Sequence, residues 1–158
     1  MLFEEEKEFP KTLEDIKSCI RHNPRFIFDV DFSEFSMTND DYMECIHSAI
    51  ERKPRLILEL LEPDVISNKM FREELLYCSI EKDVDIFTDI PDSCKTYEIC
   101  LLALEQDISY VEYVPPILID KKISLMILNS KQRKYYNLIP KRYKFKQLQS
   151  KSKKRKAQ

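Results

Sequence analysis

A chain of 158 residues that is 43% hydrophobic and 34% charged is too apolar for disorder and too charged for a membrane protein, and its length predicts one folded body. No apolar run approaches the ~18 residues of a membrane span. The opening MLFEEEKEFP is acidic where a secretion signal is basic and then apolar, so an intracellular chain is expected.

After an acidic lead at 1–11, the first predicted helix is opened by Thr12 and carries Ile16, Cys19 and Ile20. A polar RHNP linker leads to a second apolar element with Phe26, Ile27 and Val30. The same pattern recurs down the chain: CIRHNPRFIFDV, AIERKPRLILEL, SIEKDVDIFTDI, ALEQDISYVEYV and LNSKQRKYYNLI begin at Cys19, Ala49, Ser79, Ala103 and Leu128. Their spacings of 30, 30, 24 and 25 residues are those of a repeat architecture, in which a unit cannot bury its apolar face alone.

The aligned columns define the units. The first column is mostly small, as close helix approach requires. Three residues earlier stand Ile16, Ile46, Leu76, Cys100 and Leu125, and one residue later Ile20, Ile50, Ile80, Leu104 and Asn129. These two columns lie four apart, one stripe of a helix. The second element aligns Phe26, Leu56, Ile86, Tyr110 and Tyr135, then their successors, and four residues on Val30, Leu60, Ile90, Val114 and Ile139. Pro24 and Pro54 suit the first turn of that element, and Pro63, Pro91, Pro115 and Pro140 stop it. Thr12, Asn39 or Asp40, Asn68, Thr96 and Asp120 are the expected N-caps. The reading is an all-α fold of about five stacked helical hairpins, an α-solenoid over residues 12–143, with a basic tail at 144–158. Asn129 breaks a column of the fifth copy, which fits a terminal capping unit.

The stretch TYEICLLALEQDISYVEYVPPIL (96–118) resembles a family of short helical repeats of unknown function found in giant DNA viruses and some intracellular bacteria. Thr96, Cys100, Leu101, Ala103, Leu104, Tyr110, Val114 and Pro115 carry the likeness, and Ile139-Pro140 repeats its ending. The family's N-G or D-G turn is Gln106-Asp107 here. The resemblance implies a helical-repeat fold and a viral source, with a virion or capsid-associated role or a host-interaction role, in host cytoplasm, nucleus or virion. It implies no catalytic residue.

Chemistry-bearing motifs are sparse. The absence of glycine excludes phosphate-cradling loops. Cys19, Cys45, Cys78, Cys94 and Cys100 form no CxxC pair, and His22 and His47 lie outside zinc-like spacing, so reduced, packed thiols and no metal or cofactor are expected. No nucleophile pairs reproducibly with either histidine, so no enzyme is expected.

Charge is the second signal. Asp120 is the last acid; residues 121–158 hold 14 Lys or Arg, leaving 12 basic against 28 acidic residues before them, or +14 against −16. The candidate contact residues are Lys141, Arg142, Tyr143, Lys144, Phe145, Lys146, Lys151, Lys153, Lys154, Arg155 and Lys156. They suit a solvated terminus whose charge aids solubility, a protein partner with an acidic surface, the chain's own acidic body in another copy included, or nucleic acid, and KSKKRK also reads as a nuclear import signal. Tyr143 and Phe145 are free to stack beside cations, whereas Tyr135 and Tyr136 fall in core columns.

Overall fold

The computed structural model describes residue 10 and residues 12–31, 38–61 and 69–144, and every element among them is helical, with no strand. Asn68, Pro63, Phe145, Lys146, Lys151, Lys153, Lys154, Arg155 and Lys156 lie outside the described residues. The chain forms two compact units, Met1–Asp83 and Val84–Gln158.

In the first unit, α1 (Leu13–His22) starts in a capping box: the Thr12 hydroxyl accepts the Asp15 N–H at 3.2 Å, and the Asp15 carboxylate accepts the Thr12 N–H at 3.0 Å. The next helix, α2 (Asn39–Arg52), repeats this with Thr38 and Asp41. Thr38, and not Asn39 or Asp40, is the cap because it alone of the three has an aspartate three residues on to close the box. Then come α3 (Leu56–Leu60) and α4 (Lys69–Lys82). The aligned columns form the core: Ile16 and Ile20 from α1, Ile46, Ala49 and Ile50 from α2, Leu76, Ser79 and Ile80 from α4 are all buried. Ala49 and Ser79 have no exposed surface, and the Ser79 hydroxyl is satisfied by donating to the Leu75 carbonyl at 2.7 Å.

The second elements are shorter than the helices expected of hairpins. Pro24–Phe28 is a single 3₁₀ stretch, held by Phe26 N–H to Asn23 O at 2.9 Å and Asp29 N–H to Phe26 O at 3.0 Å. Four of these second elements are 3₁₀, a pattern that serves short pieces, while the equally short Leu56–Leu60 is α.

In the second unit, Val84–Thr88 is 3₁₀, followed by a 3₁₀ turn Asp92–Cys94, α5 (Tyr97–Gln106), the 3₁₀ stretch Ile108–Tyr113, a turn Pro116–Leu118, α6 (Lys121–Asn129) and the 3₁₀ stretch Arg133–Leu138. Thr96 and Asp120 cap α5 and α6 as expected. Pro91 and Pro115 do more than stop a helix: their carbonyls accept Cys94 N–H and Leu118 N–H, both at 2.9 Å, and so open the two extra turns.

One packing relation recurs. Each main helix after α1 lies against the second element of the sequence copy before it: α2 on Pro24–Phe28, α4 on α3, α5 on Val84–Thr88, α6 on Ile108–Tyr113. Within the second unit, Ile108–Tyr113 also packs against both Val84–Thr88 and Arg133–Leu138.

The fifth copy departs from the sequence alignment by one residue. Ile123, Ser124 and Ile127 of α6 are buried, while Leu125 is 37% exposed and Asn129 is exposed. The caps Thr96 and Asp120 are 24 apart, but the next caps, Asp107 and Gln132, are 25 apart. The extra residue sits in the turn, where Lys131 takes a left-handed conformation at φ 61°. Ile127, not Leu128, therefore stands in the close-packed column, and the Asn129 irregularity is a register shift.

Candidate functional site

Three groupings of polar side chains emerge from this frame. The first joins neighbouring repeats. Lys17, two residues before the small column of the first repeat, donates to Glu44 Oε2 at 2.6 Å; His47, at the same position in the second, lies 3.6 Å from Glu74, which holds Glu44's position in the third. The hydrogen bond to Glu44 raises the Lys17 ammonium above its ordinary value. A second row uses the sixth residue after the small column. Arg25 grips Glu59 through both guanidinium nitrogens at 3.1 and 2.8 Å, Arg55 lies 3.6 Å from Asp83, and Asp85 accepts the Tyr110 hydroxyl. Each points to the following repeat. Neither row was singled out in the sequence, because a charged residue on a helix surface has no pattern of its own; the rows appear only when the aligned copies are read for polar columns as well as apolar ones.

The second grouping centres on Lys95, which sequence reasoning passed over. Its side chain is only 4% exposed. The ammonium donates to Asp92 Oδ1 at 3.1 Å and to the Tyr113 carbonyl at 2.9 Å, and rests 5.0 Å from the centre of the Phe87 ring. It immediately precedes the Thr96 cap, and Ile119, which immediately precedes the Asp120 cap, is buried in the same way. Lys95 thus ties three pieces of the second unit together. With that little exposure it offers no substrate access.

The third is the basic segment. Met1–Asp83 has 20 acidic against 11 basic residues, a net −9, whereas Val84–Gln158 has 8 acidic against 15 basic, a net +7. Eight described cations run from Lys121 to Lys144, and no ion pair joins any of them to a described carboxylate. Lys141 and Arg142 are exposed, Tyr143 and Lys144 half-buried. Arg142 lies 4.9 Å over the Tyr143 ring, Lys144 Nζ donates to Asn137 O at 3.4 Å, and Lys134 lies 4.4 Å over Tyr135. Tyr135 is buried, and the half-buried Tyr136 hydroxyl donates to Leu128 O at 3.5 Å, so both are packing residues.

The remaining reactive side chains stand apart. His22 Nδ1 donates to Ser18 O at 2.8 Å from an exposed helix end; His47 meets Phe71 edge-on beside Glu74. The five cysteines are free thiols, and burial pushes Cys45 and Cys78 above the ordinary thiol range and Cys100 up to about 11. That is the opposite of the lowered value that makes a thiol nucleophilic. Among the described residues no three His, Cys, Asp or Glu side chains gather where they could hold a metal ion, and no helix is long and apolar enough to cross a membrane. Comparison with family models, with curated proteins and with solved structures gives no match for this chain.

Proposed function

We propose that the chain is a non-enzymatic interaction scaffold, a solenoid-like row of helical repeats whose basic C-terminal segment docks on an acidic protein surface. The observation that carries it is the contrast in cation use. Before Asp120, the cations Lys17, Arg25, Arg55 and Lys95 each lie within ion-pair distance of a carboxylate; from Lys121 to Lys144 no described cation does, and only Lys134 is drawn at longer range by Glu112 and Asp107, although residues 84–120 offer eight acids. Charge of one sign gathered in one segment steers an oppositely charged partner. The resemblance at 96–118 favours a virion or capsid-associated setting in a large DNA virus.

A second reading, nucleic-acid or nuclear association, draws support from the run of 14 cations with no acid over residues 121–158 and from the Arg142–Tyr143 pair. One assay separates them: salt-titrated binding of the full chain, and of a chain truncated after Tyr143, to an acidic protein and to duplex DNA. The scaffold reading expects the protein ligand to bind more tightly at every salt concentration, with binding weakened by salt and by truncation. DNA binding that outlasts protein binding would establish the second reading, and binding of either that ignores salt sinks both.

A further inference from the structure

The rows of ion pairs have a direction, and it leaves complementary groups at two places. In the first three repeats the sixth residue after the small column reaches forward: Arg25 to Glu59, Arg55 to Asp83, Asp85 to Tyr110. Counting 25 residues on from Ser109 in the fourth repeat, as the second element does, Lys134 holds this position in the fifth. It is exposed, and among the described residues no repeat lies ahead of it. At the other end, Glu59 accepts from Arg25 at the tenth residue after its small column, and the matching residue of the first repeat is the exposed Asp29. Glu14 matches Glu44 and Glu74, the residues that receive Lys17 and His47, and is exposed at the helix surface. Neither Asp29 nor Glu14 has a preceding described repeat to answer, although Glu14 lies 3.9 Å from Lys17 of its own helix.

From these positions we propose that the protein self-associates head to tail, with Lys134 of one copy taking Asp29 of a second copy as Arg25 takes Glu59 within the chain. The idea rests on the reading of the basic segment as a docking element, and names its partner. The two surfaces differ, so the contact is heterologous and joins copies into a chain or a ring. Because it rests on exposed ion pairs, it is weak and salt-sensitive.

The test is sedimentation velocity on the full chain across a wide concentration range at low and high salt, with Asp29→Lys and Lys134→Glu. Both residues are exposed, so folding is not at stake. The wild type should form a ladder of species that grows with concentration and shrinks with salt. Each single reversal should lower the association constant by about tenfold. An equimolar mixture of the two variants should recover the ladder, since every junction is again opposite in charge. A monomer at all concentrations, a closed dimer, or association that both reversals leave unchanged overturns the proposal. Retention on a poly-glutamate resin, read on the same samples, keeps the two readings apart: retention without self-association removes only the second copy as partner, and loss of both removes the docking segment itself.

Discussion

Ile127→Ala and Leu125→Ala remove the same three carbons from the same helix two residues apart, yet the register of α6 gives them unequal costs. Ile127 has no exposed surface, whereas Leu125 is 37% exposed. Three carbons at about 0.8 kcal/mol each come to roughly 2.4 kcal/mol of lost transfer energy. For Ile127 the enclosed cavity adds to this, giving about 3–4 kcal/mol. For Leu125 the transfer loss scales with burial to about 1.5 kcal/mol at most, no closed cavity forms, and alanine's helix propensity offsets part of it. A difference of about 2 kcal/mol corresponds to roughly 4–8 °C in melting temperature for a chain of this size. Urea and thermal unfolding followed by far-ultraviolet circular dichroism measure it. The aligned sequence columns imply the reverse order, since they place Leu125 in the buried stripe and Ile127 outside it. Should Leu125→Ala cost as much as Ile127→Ala, the shifted register is wrong.

Lys95 offers a contrast of another kind. Lys95→Ala and Lys95→Met both strip the donor from the Tyr113 carbonyl and remove a desolvated charge, but Ala also empties the stem's packing, so Ala should cost about 1–3 kcal/mol and Met about 1 kcal/mol less than Ala in urea unfolding. At the start of α2, Thr38→Ala removes a cap and should cost about 1 kcal/mol. Hydrogen bonds from the Thr38 hydroxyl and then the Thr38 N–H, with Lys17 nearby, hold the Asp41 carboxyl below its ordinary 3.8. Such a depressed group stabilises the fold above that ordinary value and loses its effect as pH falls through the lower folded value. Stability against pH should therefore fall less steeply on the acid side of 3.8 in Thr38→Ala and Asp41→Asn than in the wild type. Burial, against a smaller opposing pull from Lys95, sets the Cys100 thiol at about 11, so at neutral pH a maleimide should label it only after urea is added; rapid labelling in native buffer would contradict its place in the core.

The sequence made the main helices legible because two signals coincide there. Apolar residues four apart mark the stripe of each helix, and Thr12, Thr96 and Asp120 mark where three of them begin. Thr38 was legible in principle: T-N-D-D has the capping-box spacing, but Asn39 and Asp40 are equally good isolated caps, and only the reciprocal bond to Asp41 decides among them. The fifth copy misled because Tyr135 and Ile139 align well at 25 residues and carry α6 with them. A one-residue insertion in a turn is usually betrayed by glycine. Here Lys131 takes the left-handed conformation itself, and a lysine carries no such signal. Lys95 was hidden for a similar reason, since lysine is rarely buried and nothing in its neighbours announces that Asp92 and the Tyr113 carbonyl will meet it.

Holding repeats together and choosing which repeat sits beside which are separate tasks. The apolar columns do the first and cannot do the second: Ile16 and Ile46, or Ile20, Ile50 and Ile80, are the same residue in successive copies, so a slip by one whole repeat would bury nearly the same surface. The charged rows differ from copy to copy. Arg25 meets an acid ten residues past the small column, Arg55 an acid four past it, and Asp85 a phenol seven past it. Set against Glu59, Asp85 would meet a like charge; set against Arg25, Tyr110 would give the guanidinium no carboxylate. Exposed pairs contribute at most about 1 kcal/mol each when correctly matched, too little to hold the copies together, but a mismatched like-charge contact is costly enough to select the register. On this argument, reversing Arg25 and Glu59 together should leave stability nearly unchanged, whereas reversing Arg25 alone should lower it by more than Arg25→Ala does, because repulsion outweighs the lost attraction. Equal effects of Arg25→Glu and Arg25→Ala on the urea midpoint would mean that the charged rows play no part in choosing neighbours.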